Sequence, residues 1–312
     1  MRLRGHAIEA RINAEDPARE FLPSAGRVLA YQRAGGDGVR VDDAIETGTV
    51  VDTRYDSLLA KVIAHGDDRT QALARLERAL ADQTILGVTT TTGFLRGLLA
   101  DDAVRAGALD TGLVSRRGVP APPMSDAGVA LAAAMLTLAD RRGHGSDEPF
   151  ARIDGWRLGG ERAGSHWRLA VGAGEPVDVE ASAAQVATVR RIGEGRFTIG
   201  ERGEWLIARD RDVTWIGHGG WAWPVRAVSA ADDRVGAADG DLRAPMPGQV
   251  LVVPVAVGDP VSAGDPVVVL ESMKMELVLA APMDGSVTEL TVSVGDRVSV
   301  DQPLARVEAT ST

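Results

Sequence analysis

The 312-residue chain has no cysteine, which excludes disulfides, a thiolate nucleophile and cysteine-ligated zinc. Lysine is nearly as scarce: of 34 basic residues only Lys61 and Lys274 are lysines, and the rest are arginines. A chain that writes almost every cation as arginine points to a GC-biased genome. A lysine retained against that bias points to amine chemistry, because a guanidinium offers no primary amine to acylate. No apolar run approaches the ~20 residues that span a bilayer. The amino terminus, MRLRGHAIEARINAEDP, lacks an apolar signal segment. These absences give the expectation of a cytoplasmic protein with no membrane partner. The net charge of −10 argues against nucleic acid as a partner. The five histidines (His6, His65, His144, His166 and His218) are scattered with no pair at metal-ligand spacing, so no metal is expected. Lone glycine pairs at Gly172/Gly174 and Gly193/Gly195 read as turns rather than phosphate cradles.

What is present is enough for two or three domains, with 45% hydrophobic and 25% charged residues. Residues 1–115 mix strands and helices. GHAIEARIN opens in a strand register, and VLAYQRAGGDGVRVDDAI reads as two strands around a glycine-rich turn. DDRTQALARLERALAD is an amphipathic helix, with Asp68 as N-cap and Ala72, Leu73, Leu76, Ala79 and Leu80 on one face. Thr92 is the candidate cap of a second helix, GFLRGLLA. RRGVPAPPM (116–124) reads as a linker because its prolines break regular structure. An alanine- and leucine-rich helix follows, then about 85 residues of short strand-like runs. These hold all six tryptophans: Trp156, Trp167, Trp205, Trp215, Trp221 and Trp223. Indoles in the core of a small antiparallel barrel is one reading, and a binding surface is the other. SAADDRVGAADGD (229–241) is small and polar and reads as a flexible tether.

The last segment contains a repeat. APMPGQVLVVPVAVGDPVSAGDPVVVLE from Ala244 and APMDGSVTELTVSVGDRVSVDQPLARVE from Ala281 agree at 13 of 28 positions, at an offset of 37. Two copies are too few for a solenoid but enough to close on each other, each half covering a strand edge of the other. The chain must turn back between them, and Met273-Lys274-Met275 lies there. Lys274 is therefore expected at a protruding hairpin. It is either a solvated surface charge or a presented amine.

Glu-Ser-Met-Lys-Met at such a hairpin resembles the biotin carrier domain of biotin-dependent carboxylases, with Ser272 where many members have alanine. The resemblance implies covalent biotin on Lys274, flanked by Met273 and Met275, in a flattened β-barrel. It also implies a biotin protein ligase as partner, because a free amine of pKa about 10.4 is protonated at neutral pH. The related lipoyl domain usually has aspartate before its lysine and alanine after it. GHAIEARINAEDP, FLPSAG and YDSLLAKVIAHG resemble the C-terminal domain of biotin carboxylase. In that family the arginine at the place of Arg11 contacts biotin, where a planar cation stabilises charge on the ureido oxygen. The alternative is that Arg11 pairs with a carboxylate on its own strand. Lys61 is assigned to structure or an ion pair, and Tyr55 and Asp56 are weaker candidates for orienting the site. The middle segment resembles, by position and pattern, the domain of acyl-CoA carboxylase alpha subunits that docks the carboxyltransferase beta subunit.

The expected architecture is thus multidomain, α+β and all-β. A partial biotin carboxylase C-terminal domain (1–115) is followed by a helix-plus-antiparallel-barrel linking domain (116–238) and a biotinyl domain (239–312). The resemblance implies the C-terminal part of an acyl-CoA carboxylase alpha subunit, which works on an acyl-CoA held by the partner. ATP and magnesium or manganese would enter only through an ATP-grasp region not found in these residues. The chain as written is expected to be inactive alone, as a truncated gene product or a remnant. The rival expectation is a biotinylated carrier or assembly protein without catalysis.

Overall fold

The computed structural model describes residues 4–143, 165–201, 203–228, 240–273 and 275–309. The chain forms two compact units. One comprises Met1–Glu20, Gly26–Val50 and Leu58–Ser229, the other Phe21–Ala25, Val51–Ser57 and Ala230–Thr312.

In the first unit β1 (His6–Asn13) turns Ala10 and Ile12 inward and Glu9 and Arg11 outward, the two-residue period of a one-sided strand. Next come β2 (Ala30–Gln32), β3 (Val39–Asp43) and β4 (Leu58–Gly66). β4 lies between β1 and β3 in an antiparallel sheet. The glycine-rich run does not close a hairpin: β2 pairs instead with β5 (Thr84–Leu86). Arg33, hydrogen-bonded to the Asp43 carboxylate and the Val41 carbonyl, ties the crossing. Helix α1 (Arg69–Asp82) starts where the Asp68 carboxylate accepts the Gln71 N–H at 2.8 Å, and it buries Ala72, Leu76, Ala79 and Leu80. Leu73 is only half-buried. Helix α2 (Thr92–Leu99) begins one residue earlier than expected, with Thr91 at the N-cap and Thr92 already helical. No side-chain cap bond forms, because the Thr91 hydroxyl is engaged by β1. It accepts from the Asn13 N–H at 3.0 Å and donates to the Arg11 carbonyl at 3.4 Å.

The proline-rich stretch is not a free linker. A Cβ placed on Gly97 of α2 would stand 2.4 Å from the Pro120 ring. Helix α3 (Asp126–Gly143) then presents a broad apolar face that includes Val129, Ala130, Met135 and Leu136. Seven strands follow: β6 (Ser165–Val171), β7 (Val177–Ala181), β8 (Val189–Gly193), β9 (Arg196–Ile199), β10 (Glu204–Asp210), β11 (Val213–His218) and β12 (Trp221–Ala227). They make one antiparallel sheet in the order β7-β6-β12-β11-β10-β9-β8. α3 packs against both edge strands, β7 and β8, so the sheet wraps the helix. Among the described residues no ladder joins those edges. A short helix, Ala183–Ala187, bridges them, with Ser182 and Gln185 forming a reciprocal capping box. The arrangement is a sheet curled on a helix, without the ladder that would close a barrel. Trp205 and Trp223 are buried in this core, and Trp215 is buried on a second cluster with Leu86 of β5. Trp167 and Trp221 are partly buried, and Trp156 lies outside the described residues. Trp221 sits against Gly93 of α2, and Arg96 donates to the Gly219 carbonyl.

In the second unit the repeat becomes visible as strands β13 (Asp241–Arg243), β14 (Gly248–Val252), β15 (Pro260–Val261), β16 (Pro266–Ser272), β17 (Met275–Ala280), β18 (Gly285–Leu290), β19 (Arg297–Val298) and β20 (Pro303–Glu308). They form two four-stranded sheets, β13-β20-β18-β15 and β17-β16-β14-β19. Shifting by one repeat exchanges the sheets. β14 of the first copy pairs with β19 of the second, and β15 pairs with β18, so each half covers an edge of the other. Matching turns confirm the symmetry. Asp259 accepts the Ala256 N–H and Asp296 the Ser293 N–H, both at 2.8 Å, with Gly258 at φ 99° and Gly295 at φ 95°. Valines and leucines of both copies, including Val250, Leu270, Val287 and Leu304, fill one shared core. The tether (229–241) lies outside the described residues except for Gly240 and Asp241.

Candidate functional site

The hairpin between the repeat halves is built from β16 and β17, whose ladder ends with Ser272 opposite Met275. Only Met273 and Lys274 remain to make the turn, and Lys274 itself lies outside the described residues. Two-residue turns that match strand twist require positive φ. Met273 meets this with φ 46°, at a typical penalty of about 1 kcal/mol for a residue bearing a Cβ. It is buried, and its N–H donates to the Thr53 carbonyl at 3.1 Å. Burial of a methionine side chain contributes roughly 1.5–3 kcal/mol, which outweighs that strain. Met275 is instead exposed. The two methionines that flank the lysine therefore differ in role: one pins the turn, the other stands at the surface of an edge strand.

Beside the turn a polar cavity of about 180 Å³ is lined by residues that include Arg54, Gln249, Glu271, Ser272 and Arg297. The Ser272 hydroxyl is buried there with no partner among the described residues, a point at which an alanine would fit as well. Arg54, hydrogen-bonded to Asp52, holds that carboxyl below its ordinary range. The Arg54 guanidinium also lies 5.9 Å from the centre of the exposed Tyr55 ring. Asp56 has a partner of its own.

The second candidate cluster is on the outer face of β1, β4 and β3. Register places Arg11 opposite Lys61, and Lys61 opposite Asp42; the adjacent row is Glu9, Ile63 and Arg40. Arg11 is exposed, and its Nε donates to Glu9 Oε1 at 3.1 Å. That ion pair is the strand-borne carboxylate contact weighed against a biotin contact from the sequence, and it leaves the terminal Nη groups of Arg11 out of the bond. Arg40 makes a two-pronged contact with Asp42 at 2.8 Å. Lys61 is half-buried and makes no ion pair among the described residues, contrary to one of its two expected roles. Glu9, Arg40 and Asp42 were not singled out from sequence, although the alternation of HAIEARIN and VRVDD places them on the same face as Arg11. Among the described residues no group of three His, Asp or Glu side chains is poised to hold a metal. No helix among them is long and apolar enough to cross a membrane.

Three family models match in succession. They are the biotin carboxylase C-terminal domain over residues 9–116, the BT domain of the methylcrotonyl-CoA carboxylase alpha subunit over 125–230, and the biotin-requiring enzyme domain over 240–307. The biotin-dependent acyl-coenzyme A carboxylase alpha3 subunit of Mycobacterium leprae is 32% identical over 87% of this chain and 38% of its own length. The alpha subunit of the mitochondrial methylcrotonoyl-CoA carboxylase of Dictyostelium discoideum is 30% identical over 88% of this chain and 45% of its own. The biotin carboxylase of Pseudomonas aeruginosa is 45% identical over 35% of this chain and 24% of its own length. The chain thus spans less than half the length of each of these relatives. In the type and order of its three domains it matches the C-terminal part of a biotin-dependent acyl-CoA carboxylase alpha subunit.

Proposed function

We propose that the chain carries biotin in amide linkage on Lys274 and ferries a carboxylate from a biotin carboxylase site to a carboxyltransferase beta subunit that carboxylates an acyl-CoA. The observation that supports it is the two-residue turn between matched halves, placed within the region similar to biotin-requiring enzymes. The fit of the residues is chemical. Acylation needs a primary amine where a ligase can reach it, and the sequence puts Lys274 between the buried Met273 and the exposed Met275. Biotin supplies a ureido nitrogen that takes up and releases a carboxyl group. The chain's own contributions are the turn pinned by Met273 and the guanidinium of Arg11, whose free donors would meet the ureido oxygen. Tethering raises the effective concentration of the carried group at both stations. In this reading the domains divide near 115/116 and 238/239, and 116–238 docks the beta subunit. The protein works in the cytoplasm, and ATP with its metal acts in a biotin carboxylase region beyond these residues.

Coexpression with a biotin protein ligase and a cognate beta subunit tests the reading in one preparation. One biotin mass increment is expected, lost in Lys274→Arg while the beta subunit still copurifies. Deleting 116–238 should reverse that pattern. Biotin on Lys61, or an unmodified chain, would sink the assignment.

A further inference from the structure

A cleft of about 350 Å³ opens between α2, the β6–β7 turn, β12 and the segment that leads into α3. Ligand pockets begin near ~300 Å³ and are walled by apolar and aromatic groups with a few placed charges. This cleft has that composition. Phe94 of α2, Trp221 and Trp223 of β12 and the Pro120 ring form its walls, and the exposed Val119 lies at its edge. Packed interiors leave few gaps larger than a water. Here the walls are held apart by contacts of their own. Pro120 closes on Gly97, Trp221 lies against Gly93, and the Gly172 N–H donates to the Pro224 carbonyl at 2.8 Å.

Three charged side chains line the cleft: Asp16, Arg19 and Asp126. Asp16 is occupied, accepting the Ala18 N–H at 3.0 Å. Asp126, in the first turn of α3, has neither an ion pair nor a side-chain hydrogen bond among the described residues. The β6–β7 turn makes room for it. Gly174 does not need glycine for its backbone, which is not left-handed. A Cβ there would instead strike the Asp126 carboxylate, 2.8 Å away, and the Val171 carbonyl, 3.0 Å away. Two carboxylates against one guanidinium leave the lining with a net negative charge.

We infer that this cleft binds a small organic monocation, an ammonium carried on an aromatic or branched apolar body. The body displaces water from the rings, and the ammonium pairs with Asp126 at the mouth. An indole beside a cation adds to the attraction, because the ring face is electron-rich. A carboxylate on the same body would meet two like charges and only one guanidinium. The inference is independent of the proposed carrier function and uses no residue of the β13–β20 unit.

Phenylpropylamine, phenylpropanol and phenylpropionate share one body and differ in charge, which makes them the probes. Each is titrated into the 312-residue chain at fixed ionic strength and followed by the indole N–H resonances. Phenylpropylamine should shift the Trp221 and Trp223 indoles saturably and bind the most tightly of the three. Asp126→Asn keeps the size of the side chain and removes its charge. It should weaken the amine about two- to fivefold, as loss of an exposed charge pair would, and leave phenylpropanol unchanged. Ala173→Trp, at the exposed tip of the β6–β7 turn, should block both. Asp126 and Ala173 are exposed, so neither change empties the core. Equal affinity for the amine and the propionate overturns the proposal, as does an amine affinity unchanged in Asp126→Asn. Undiminished binding to Ala173→Trp, or a wild-type chain with no saturable shift, overturns it equally.

Discussion

The seam formed by α2 and β12 makes a prediction in which a sign, not only a size, is at stake. A Cβ at Gly93 would stand 2.5 Å from Cε3 and 2.7 Å from Cδ2 of Trp221. The indole cannot retreat freely, since its ring lies nearly parallel to Trp223, with centroids 6.3 Å apart and planes 13° apart. Forcing an extra methyl into such a contact costs about 1–3 kcal/mol. Alanine in place of glycine within a helix returns about 1 kcal/mol. Gly93→Ala should therefore destabilise the protein by up to roughly 2 kcal/mol. In a Trp221→Ala background the obstacle is gone and only the helix term remains, so the same substitution should stabilise by up to about 1 kcal/mol. The coupling, roughly 2 kcal/mol, exceeds the few tenths expected of independent sites. Urea unfolding of the four proteins, followed by far-ultraviolet circular dichroism, measures it. An equal effect of Gly93→Ala in both backgrounds would show that α2 does not bear on the indole, and the account of this seam would be wrong.

Two further outcomes follow from the structure and the proposed function. Arg33 hydrogen-bonds Asp43 and lowers its pKa from the ordinary 3.8, an effect larger than the opposing desolvation. Because the folded value is the lower one, this stabilisation is present above the unfolded pKa and disappears as pH falls through the folded one. Asp43→Asn should lower the melting temperature near neutrality, and the gap with wild type should close as the pH falls below the ordinary 3.8 and through the lowered folded pKa; a gap that stays constant down that range would refute the linkage. Given ATP, magnesium and labelled bicarbonate, the biotinylated 312-residue chain alone is expected to fix no label, and to gain it when a separate biotin carboxylase is added. Label acquired without the helper would mean that these residues make carboxyphosphate themselves.

How far the sequence could be read depended on whether a signal was local. Helix α1 was legible because its cap and its apolar stripe are both written within sixteen residues, and the cap bond is found at Asp68. The paired β-halves were legible because a repeat states its own symmetry. Thr92 was misjudged as a cap for a reason that sequence does not contain. Thr91 precedes the helix and spends its hydroxyl on Asn13 and Arg11, 78 and 80 residues away. The partner of β2 was hidden likewise, because β5 lies across an intervening helix and contributes only three residues. The prolines at 120 and 122 signalled irregular backbone correctly, but irregular is not the same as free. Pro120 closes on Gly97 because that helix position has no side chain, a contact that depends on two distant positions at once.

The scarcity of lysine turns out to separate two kinds of demand. At the turn between the repeat halves, where the sequence places Lys274, the backbone of Met273 is held in a left-handed conformation and anchored by its N–H. Lys61 has the opposite setting. It sits in the central strand of a sheet, with Arg11 and Asp42 opposite it on either side, and its backbone is held by the ladders of a nine-residue strand. A tip suits a group that must be modified and carried. A sheet face suits a charge that must stay where it is. Arginine would serve the first poorly because its guanidinium offers no primary amine to acylate.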